Sequence, residues 1–137
     1  MAKEDPLVTV PLFSELSKRE LKRCAQVAKS VTFDRGDVIA EEGEEGLAFY
    51  VILEGEAKVQ RRGRTVATLL PGDHFGEISL IDGGPRTASV IATTPLRCLS
   101  LLRWDFRQLL EKDPPLVPKL LKELARRLRQ IERPVSA

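Results

Sequence analysis

The chain is poor in the residues that carry catalysis, metal binding or cross-linking. Its 137 residues hold two cysteines, one histidine, one tryptophan and one tyrosine. Cys24 and Cys98 lie far apart and match no metal-ligand spacing, and no secretory signal precedes them. They read as buried, reduced thiols of a cytoplasmic protein. No apolar run reaches the roughly 20 residues needed to cross a bilayer, so no membrane contact is expected. An excess of basic charge is missing too. Lys and Arg total 22 against 20 Asp and Glu, and the net +2 does not argue for nucleic acid. What remains, 42% hydrophobic and 31% charged, describes an ordinary globule whose length suits a single domain over residues 1–137.

The order of elements is helix, strands, two helices. Ser17-Lys18-Arg19-Glu20 fits a capping box, and Leu21, Cys24, Ala25 and Ala28 follow at helical spacing. From about Thr32 to Leu102 short apolar or alternating runs appear at Val38–Ala40, Phe49–Leu53, Ala57–Val59, Val66–Leu70, Ala88–Ala92 and Leu96–Leu102. Turn signals such as Arg35-Gly36-Asp37, Glu54-Gly55, Arg62-Gly63-Arg64 and Pro71-Gly72-Asp73 separate them. Many short strands at close spacing predict a mainly β fold, a sandwich or barrel of jelly-roll type. A helix over Trp104–Lys112 then stops at Asp113-Pro114-Pro115, with Trp104 and Phe106 expected to pack it onto the roll. The last helix spans about 118–132. It carries an apolar stripe (Val117, Leu121, Leu124, Leu128, Ile131) and a basic one (Lys119, Lys122, Arg126, Arg129, Arg133). The basic stripe reads as a solvated face, supported by Glu123 and Arg127 four residues apart, or as a contact for an acidic partner.

One stretch speaks to function. Residues Phe75 to Val90 read FGEISLIDGGPRTASV. Glu77 supplies an acceptor for a sugar hydroxyl. Arg86, between a proline and small residues, supplies the planar fork that suits a phosphate. The stretch resembles the phosphate-binding cassette of cyclic nucleotide-binding domains, and the resemblance runs from about Leu12 to Ile131. Gly36-Asp37-Val38-Ile39 with Glu42-Gly43 resembles the first turn and strand of that family. Gly46, Phe49 to Ile52 and Gly55 resemble its second and third strands. Pro71-Gly72-Asp73 resembles the entry to the cassette and Pro85-Arg86-Thr87-Ala88 its exit.

The resemblance implies an eight-stranded jelly roll (about 32–102) with an N-terminal helix and C-terminal hinge and lid helices (about 103–133). It implies a receptor for cyclic AMP, with cyclic GMP as the alternative, that turns occupancy into movement of the C-terminal helices. Glu77 would accept from the ribose 2′-hydroxyl and Arg86 would pair with the phosphate. Backbone N–H groups of Gly76, Ile78, Ser79 and Leu80, and near Thr87 and Ala88, would surround the sugar-phosphate, with a helix N-terminus facing the anion. Val59 would lie against the base, and Leu121, Leu124 and Leu128 are the candidate lid. For the last helix, permanent docking on the roll and a two-helix dimer seam stand beside the lid reading.

Two positions depart from the family pattern. Leu47 stands where many relatives have an acid behind the arginine, leaving Glu44, Glu45 or the phosphate alone to hold Arg86. Thr87 matches a threonine associated with guanine preference in cyclic-GMP-dependent kinases. His74 reads as a surface residue. No catalytic residue, metal or cofactor is expected, since an enzyme of cupin type needs several histidines. A DNA-binding regulator related to bacterial cyclic-AMP-responsive activators is the other alternative, but no helix-turn-helix follows Pro134. The expected partners are a protein effector and, at most, a second copy in a weak dimer.

Overall fold

Strand β3 (Ala48–Glu54) shows how the molecule is layered. Successive side chains alternate between faces of a strand, and here both faces are covered. Phe49 and Val51 enter a core shared with the helices, while Tyr50 and Ile52 enter a second core between two sheets. A computed structural model describes residues 6–131.

Two four-stranded antiparallel sheets form the roll. In the first, β1 (Lys29–Phe33) pairs with β8 (Leu96–Leu102), β8 with β3, and β3 with β6 (His74–Phe75). In the second, β2 (Val38–Ala40) pairs with β7 (Ser89–Ala92), β7 with β4 (Ala57–Arg61), and β4 with β5 (Arg64–Leu69). Antiparallel pairing of β1 with β8 brings the start of the roll, Lys29, beside Ser100 near its end. The mainly β, eight-stranded jelly-roll architecture with flanking helices is as expected. Two strands were not visible in the sequence. β1 is an edge strand with three of its five positions exposed, and β6 has two residues.

Helices cover the outer face of the first sheet. Two 3₁₀ turns, Pro6–Thr9 and Pro11–Phe13, bury Leu7, Val10, Leu12 and Phe13. Helix α1 (Lys18–Val27) opens on the expected capping box, with Glu20 N donating to Ser17 Oγ at 3.2 Å and Ser17 N to Glu20 Oε1 at 2.8 Å. Helix α2 (Glu77–Asp82) lies within the cassette. Helix α3 (Arg103–Lys112) ends at Asp113, and α4 runs Leu116–Ile131. In α3, Phe106 is buried against Phe13, whereas Trp104 is exposed rather than packed on the roll.

Helix α4 is rotated from the orientation its apolar stripe predicts. The inward line is Leu116, Leu120 and Glu123, with Leu124 partly covered, while Val117, Leu121, Leu128 and Ile131 are exposed. The reason is a polar anchor. Glu123 is 1% exposed, accepts from Ser14 Oγ at 2.9 Å and pairs with Arg126 Nη2 at 2.6 Å. Its pairing with Arg127 therefore lies in the interior, not on a solvated face. The basic stripe is also partly committed, because Lys119 bonds Glu20 and Lys122 bonds Glu15. Arg133 and Pro134 lie outside the described residues.

Cys24 sits in the helix-side core and Cys98 in the core between the sheets, both buried. Burial pushes the Cys98 thiol up to about 11, which keeps it protonated and unreactive at neutral pH. No helix among the described residues is long and apolar enough to cross a membrane.

Candidate functional site

Arg86 is the centre of the site, and two glycines make room for it. Gly76 has φ +89°, a left-handed conformation that glycine adopts without penalty. A Cβ there would overlap Arg86 Nη1 and lie 2.9 Å from the Ala48 carbonyl oxygen. A Cβ on Gly46 would overlap Ser79 and lie 3.1 Å from Arg86 Nε. The guanidinium thus occupies volume that any other residue at 46 or 76 would fill.

Backbone pairing fixes where that guanidinium starts. Arg86 N donates to Glu44 O at 2.7 Å, Gly43 N to Arg86 O at 2.9 Å, and Gly46 N to Gly84 O at 3.2 Å. Glu44 and Glu45 were the sequence candidates to hold Arg86 through their carboxylates. Glu44 holds it instead through its main chain, Glu45 bridges Pro85, and Leu47 is exposed. The side chain is oriented by a carbonyl: Arg86 Nη2 donates to Ala48 O at 2.5 Å. Nη1 is buried with no hydrogen-bond partner. Burial lowers the pKa of this guanidinium from its ordinary value, against a smaller opposing pull from Tyr50. A half-buried guanidinium with one buried donor left unpaired is unfavourable unless an acceptor meets it.

Glu77 opens α2 beside it. Its Oε2 lies 2.7 Å from His74 Nδ1 and its Oε1 3.4 Å from Arg127 Nη1 on α4. Burial works to raise the Glu77 pKa, but the hydrogen bond and charge of His74 and the charge of Arg127 outweigh it, and the carboxyl titrates below its ordinary range. His74 is therefore a buried-side partner of the cassette carboxylate rather than a surface residue, with its ring 5.9 Å from Phe49. The first intrahelical bond of α2 is Leu80 N to Gly76 O at 3.1 Å, so the N–H groups of Glu77, Ile78 and Ser79 precede it.

These groups border one cavity of about 440 Å³. Of the sequence candidates, Val59, Gly76, Glu77, Ile78, Ser79, Arg86, Thr87 and Ala88 line it. Leu80 does not. It is 2% exposed in the helix-side core, and its N–H is used within α2. Leu121, Leu124 and Leu128 do not line the cavity either, because the rotation of α4 turns the first and last outward. Reading the sequence missed Arg61 and Val90 on the roll side of the cavity, and Arg127. The Glu123–Arg127 spacing was a signal for Arg127, but it pointed to a surface pair. Among the described residues no group of three His, Cys, Asp or Glu side chains is placed to hold a metal ion.

A glycine-cradled arginine, a helix-opening carboxylate and an apolar roll wall thus surround one cavity. The same span matches a family model, the cyclic nucleotide-binding domain, over residues 30–113. The chain belongs to the cyclic nucleotide-binding domain family. The domain is 40% identical over 106 residues to a cAMP-dependent protein kinase regulatory subunit of Yarrowia lipolytica, covering 76% of this chain and 28% of that one. It is 34% identical over 132 residues to a CRP-like cAMP-activated global transcriptional regulator of Mycobacterium tuberculosis, covering 93% of this chain and 59% of that one. Among solved structures it superposes on the N-terminal domain of a transcriptional regulator from Streptomyces coelicolor A3(2), with TM-score 0.85, 36% identity and coverage of 93% and 94%. The domain thus spans less than two thirds of either curated relative.

Proposed function

We propose that the chain is a cyclic nucleotide receptor, with cyclic AMP as ligand, that couples occupancy to its C-terminal helices and passes the signal to another protein without catalysing a reaction. The carrying observation is Arg86 Nη1, a buried donor without a partner, on an arginine that lines the same cavity as Glu77. The cyclic phosphate meets the Arg86 fork, the ribose 2′-hydroxyl donates to Glu77, and the base lies along Val59 and Val90. Both curated relatives are named for cyclic AMP, which favours adenine. Thr87 on the cavity wall favours cyclic GMP as the second reading.

Coupling rests on Arg127. It bridges Glu77 on the cassette and Glu123, the buried anchor of α4. A sugar hydroxyl bound to Glu77 competes with Arg127 for the same carboxylate, so the ligand has different affinities for arrangements of α4 that keep or break this pair. Such a difference is what a ligand needs to shift a conformational equilibrium. Titration calorimetry with cyclic AMP and cyclic GMP in parallel, on wild type and Arg86→Leu, tests the assignment. Saturable binding lost in the variant is expected. Absence of binding by wild type, or unchanged affinity in Arg86→Leu, overturns it.

A further inference from the structure

Two donor side chains reach the Glu77 carboxylate, one on each oxygen. His74 Nδ1 lies 2.7 Å from Oε2, and Arg127 Nη1 lies 3.4 Å from Oε1. The first contact is a full hydrogen bond and the second is longer than an ordinary one. The imidazole is fixed by the roll. His74 pairs with Val51 in the ladder of β6 with β3, and its ring stands 5.9 Å from that of the buried Phe49. Gly76, in its left-handed conformation, then turns the chain into α2, which Glu77 opens. An ionised carboxylate only accepts, so Nδ1 carries the proton in this pair. Glu77 lines the cavity and His74 does not, so His74 acts on a ligand there through Glu77. Arg127 is the competitor. Its Nη2 is buried with no hydrogen-bond partner, beside the Nη1 that already faces Glu77. A guanidinium fork takes a carboxylate most strongly through two parallel bonds. The His74 bond on Oε2 withholds the second oxygen from it.

We propose that His74 is a positioning residue for sugar recognition, holding Glu77 against Arg127 so that the site separates a ribose from a 2′-deoxyribose. The inference rests on the reading of the cavity as a cyclic nucleotide site with Glu77 on the 2′-hydroxyl. With His74 in place Oε2 is anchored, and Oε1, contacted only at 3.4 Å, is the oxygen the hydroxyl takes over. Without the imidazole, Glu77 turns to the Arg127 fork, both its oxygens are engaged, and the hydroxyl gains little. The Arg86 fork is a separate contact, so a nucleotide that lacks the hydroxyl binds as before.

Calorimetry of the full chain with cyclic AMP and 2′-deoxy cyclic AMP tests this, on wild type, His74→Phe, His74→Leu and His74→Asn. A hydroxyl bonded to a carboxylate contributes about a ten- to hundredfold preference, which wild type is expected to show for cyclic AMP. Phe and Leu bring no donor, so the preference is expected to fall below about threefold through weaker cyclic AMP, with 2′-deoxy cyclic AMP changed less than about twofold. His74→Asn offers an amide donor near the position of Nδ1 and is expected to keep the preference within about threefold of wild type. Both ligands are titrated into one preparation, so their ratio does not depend on the folded fraction, and either donorless variant suffices if the other does not fold. Equal weakening of the two nucleotides would show a merely structural histidine and overturn the proposal. So would an unchanged preference in the donorless variants, or one lost in His74→Asn as fully as in His74→Leu. A wild type that binds both nucleotides alike also overturns it, whereas failure of the underlying reading is a wild type that binds neither.

Discussion

Replacing Arg86 with leucine separates the demands of binding from those of folding. In the ligand-free protein the guanidinium makes one hydrogen bond, Nη2 to Ala48 O at 2.5 Å, and leaves Nη1 buried and unpaired. No ion pair with a carboxylate compensates it among the described residues. Removing it leaves the Ala48 carbonyl unsatisfied, at about 1–3 kcal/mol. It also relieves a half-buried cation without a counter-charge, a penalty that solvent screening holds to about 1–2 kcal/mol. Leucine fills part of the space with apolar atoms. The two effects nearly cancel, so unfolding free energy should stay within about 2 kcal/mol of wild type. Binding has no such offset. A desolvated phosphate facing leucine loses about 2–5 kcal/mol, roughly thirtyfold to several-thousandfold in affinity. Urea denaturation without ligand reads the first quantity and calorimetry the second. A thermal-shift series adds a check, because at a ligand concentration a hundredfold above the wild-type Kd the wild type should gain about 2.7 kcal/mol and the variant less than about 1 kcal/mol. A stability loss well above 2 kcal/mol would mean that Arg86 is a structural residue and refute the reasoning, as would retained affinity.

Other perturbations have equally definite outcomes. Gly76→Ala places a Cβ at φ +89° against Arg86 and the Ala48 carbonyl, so it should destabilise the domain by about 1–3 kcal/mol in denaturant melts and weaken phosphate binding by displacing the guanidinium. Leu80→Ala should cost about 2–5 kcal/mol of stability with nucleotide affinity of the folded fraction unchanged, because Leu80 belongs to the core and not the cavity. Glu123 has its pKa held below the ordinary 4.5, first by the hydrogen bond from Arg126, against burial, with Ser14 and Arg127 adding to it. A carboxyl whose folded-state pKa is depressed contributes stability that is fully present above the unfolded value and is lost as pH falls through the folded one. Urea midpoints should therefore be flat above about pH 5 and drop below 4.5, with the drop reduced in Glu123→Gln.

The cassette was legible because its constraints are local. Gly76 must adopt positive φ and Glu77 must open a helix, so both leave a mark in a short motif. Arg86 is likewise set by its immediate neighbours Pro85 and Thr87. The turns and six of the eight strands were legible for the same reason, as alternation bounded by glycine and proline. β1 and β6 left little trace, since an edge strand buries few side chains and a two-residue strand has no period to read. His74 was misread because an isolated histidine carries no sign of the carboxylate it meets three residues on.

The sequence by itself determined the jelly roll with its flanking helices, the capping box of α1 and the cassette residues Gly76, Glu77, Ile78, Ser79, Arg86, Thr87 and Ala88 that line the cavity. Only the tertiary structure decided which way α4 faces. Amphipathic periodicity locates a stripe but not its partner. Here Leu116, Leu120 and the buried Glu123 define the docked face, while the more regular line through Leu121 and Leu128 stays exposed. The same packing brings Arg127 to Glu77 across 50 residues, and the roll brings Arg61 to Thr87 across 26. Neither pairing has a local signature, because each depends on where two distant elements come to rest.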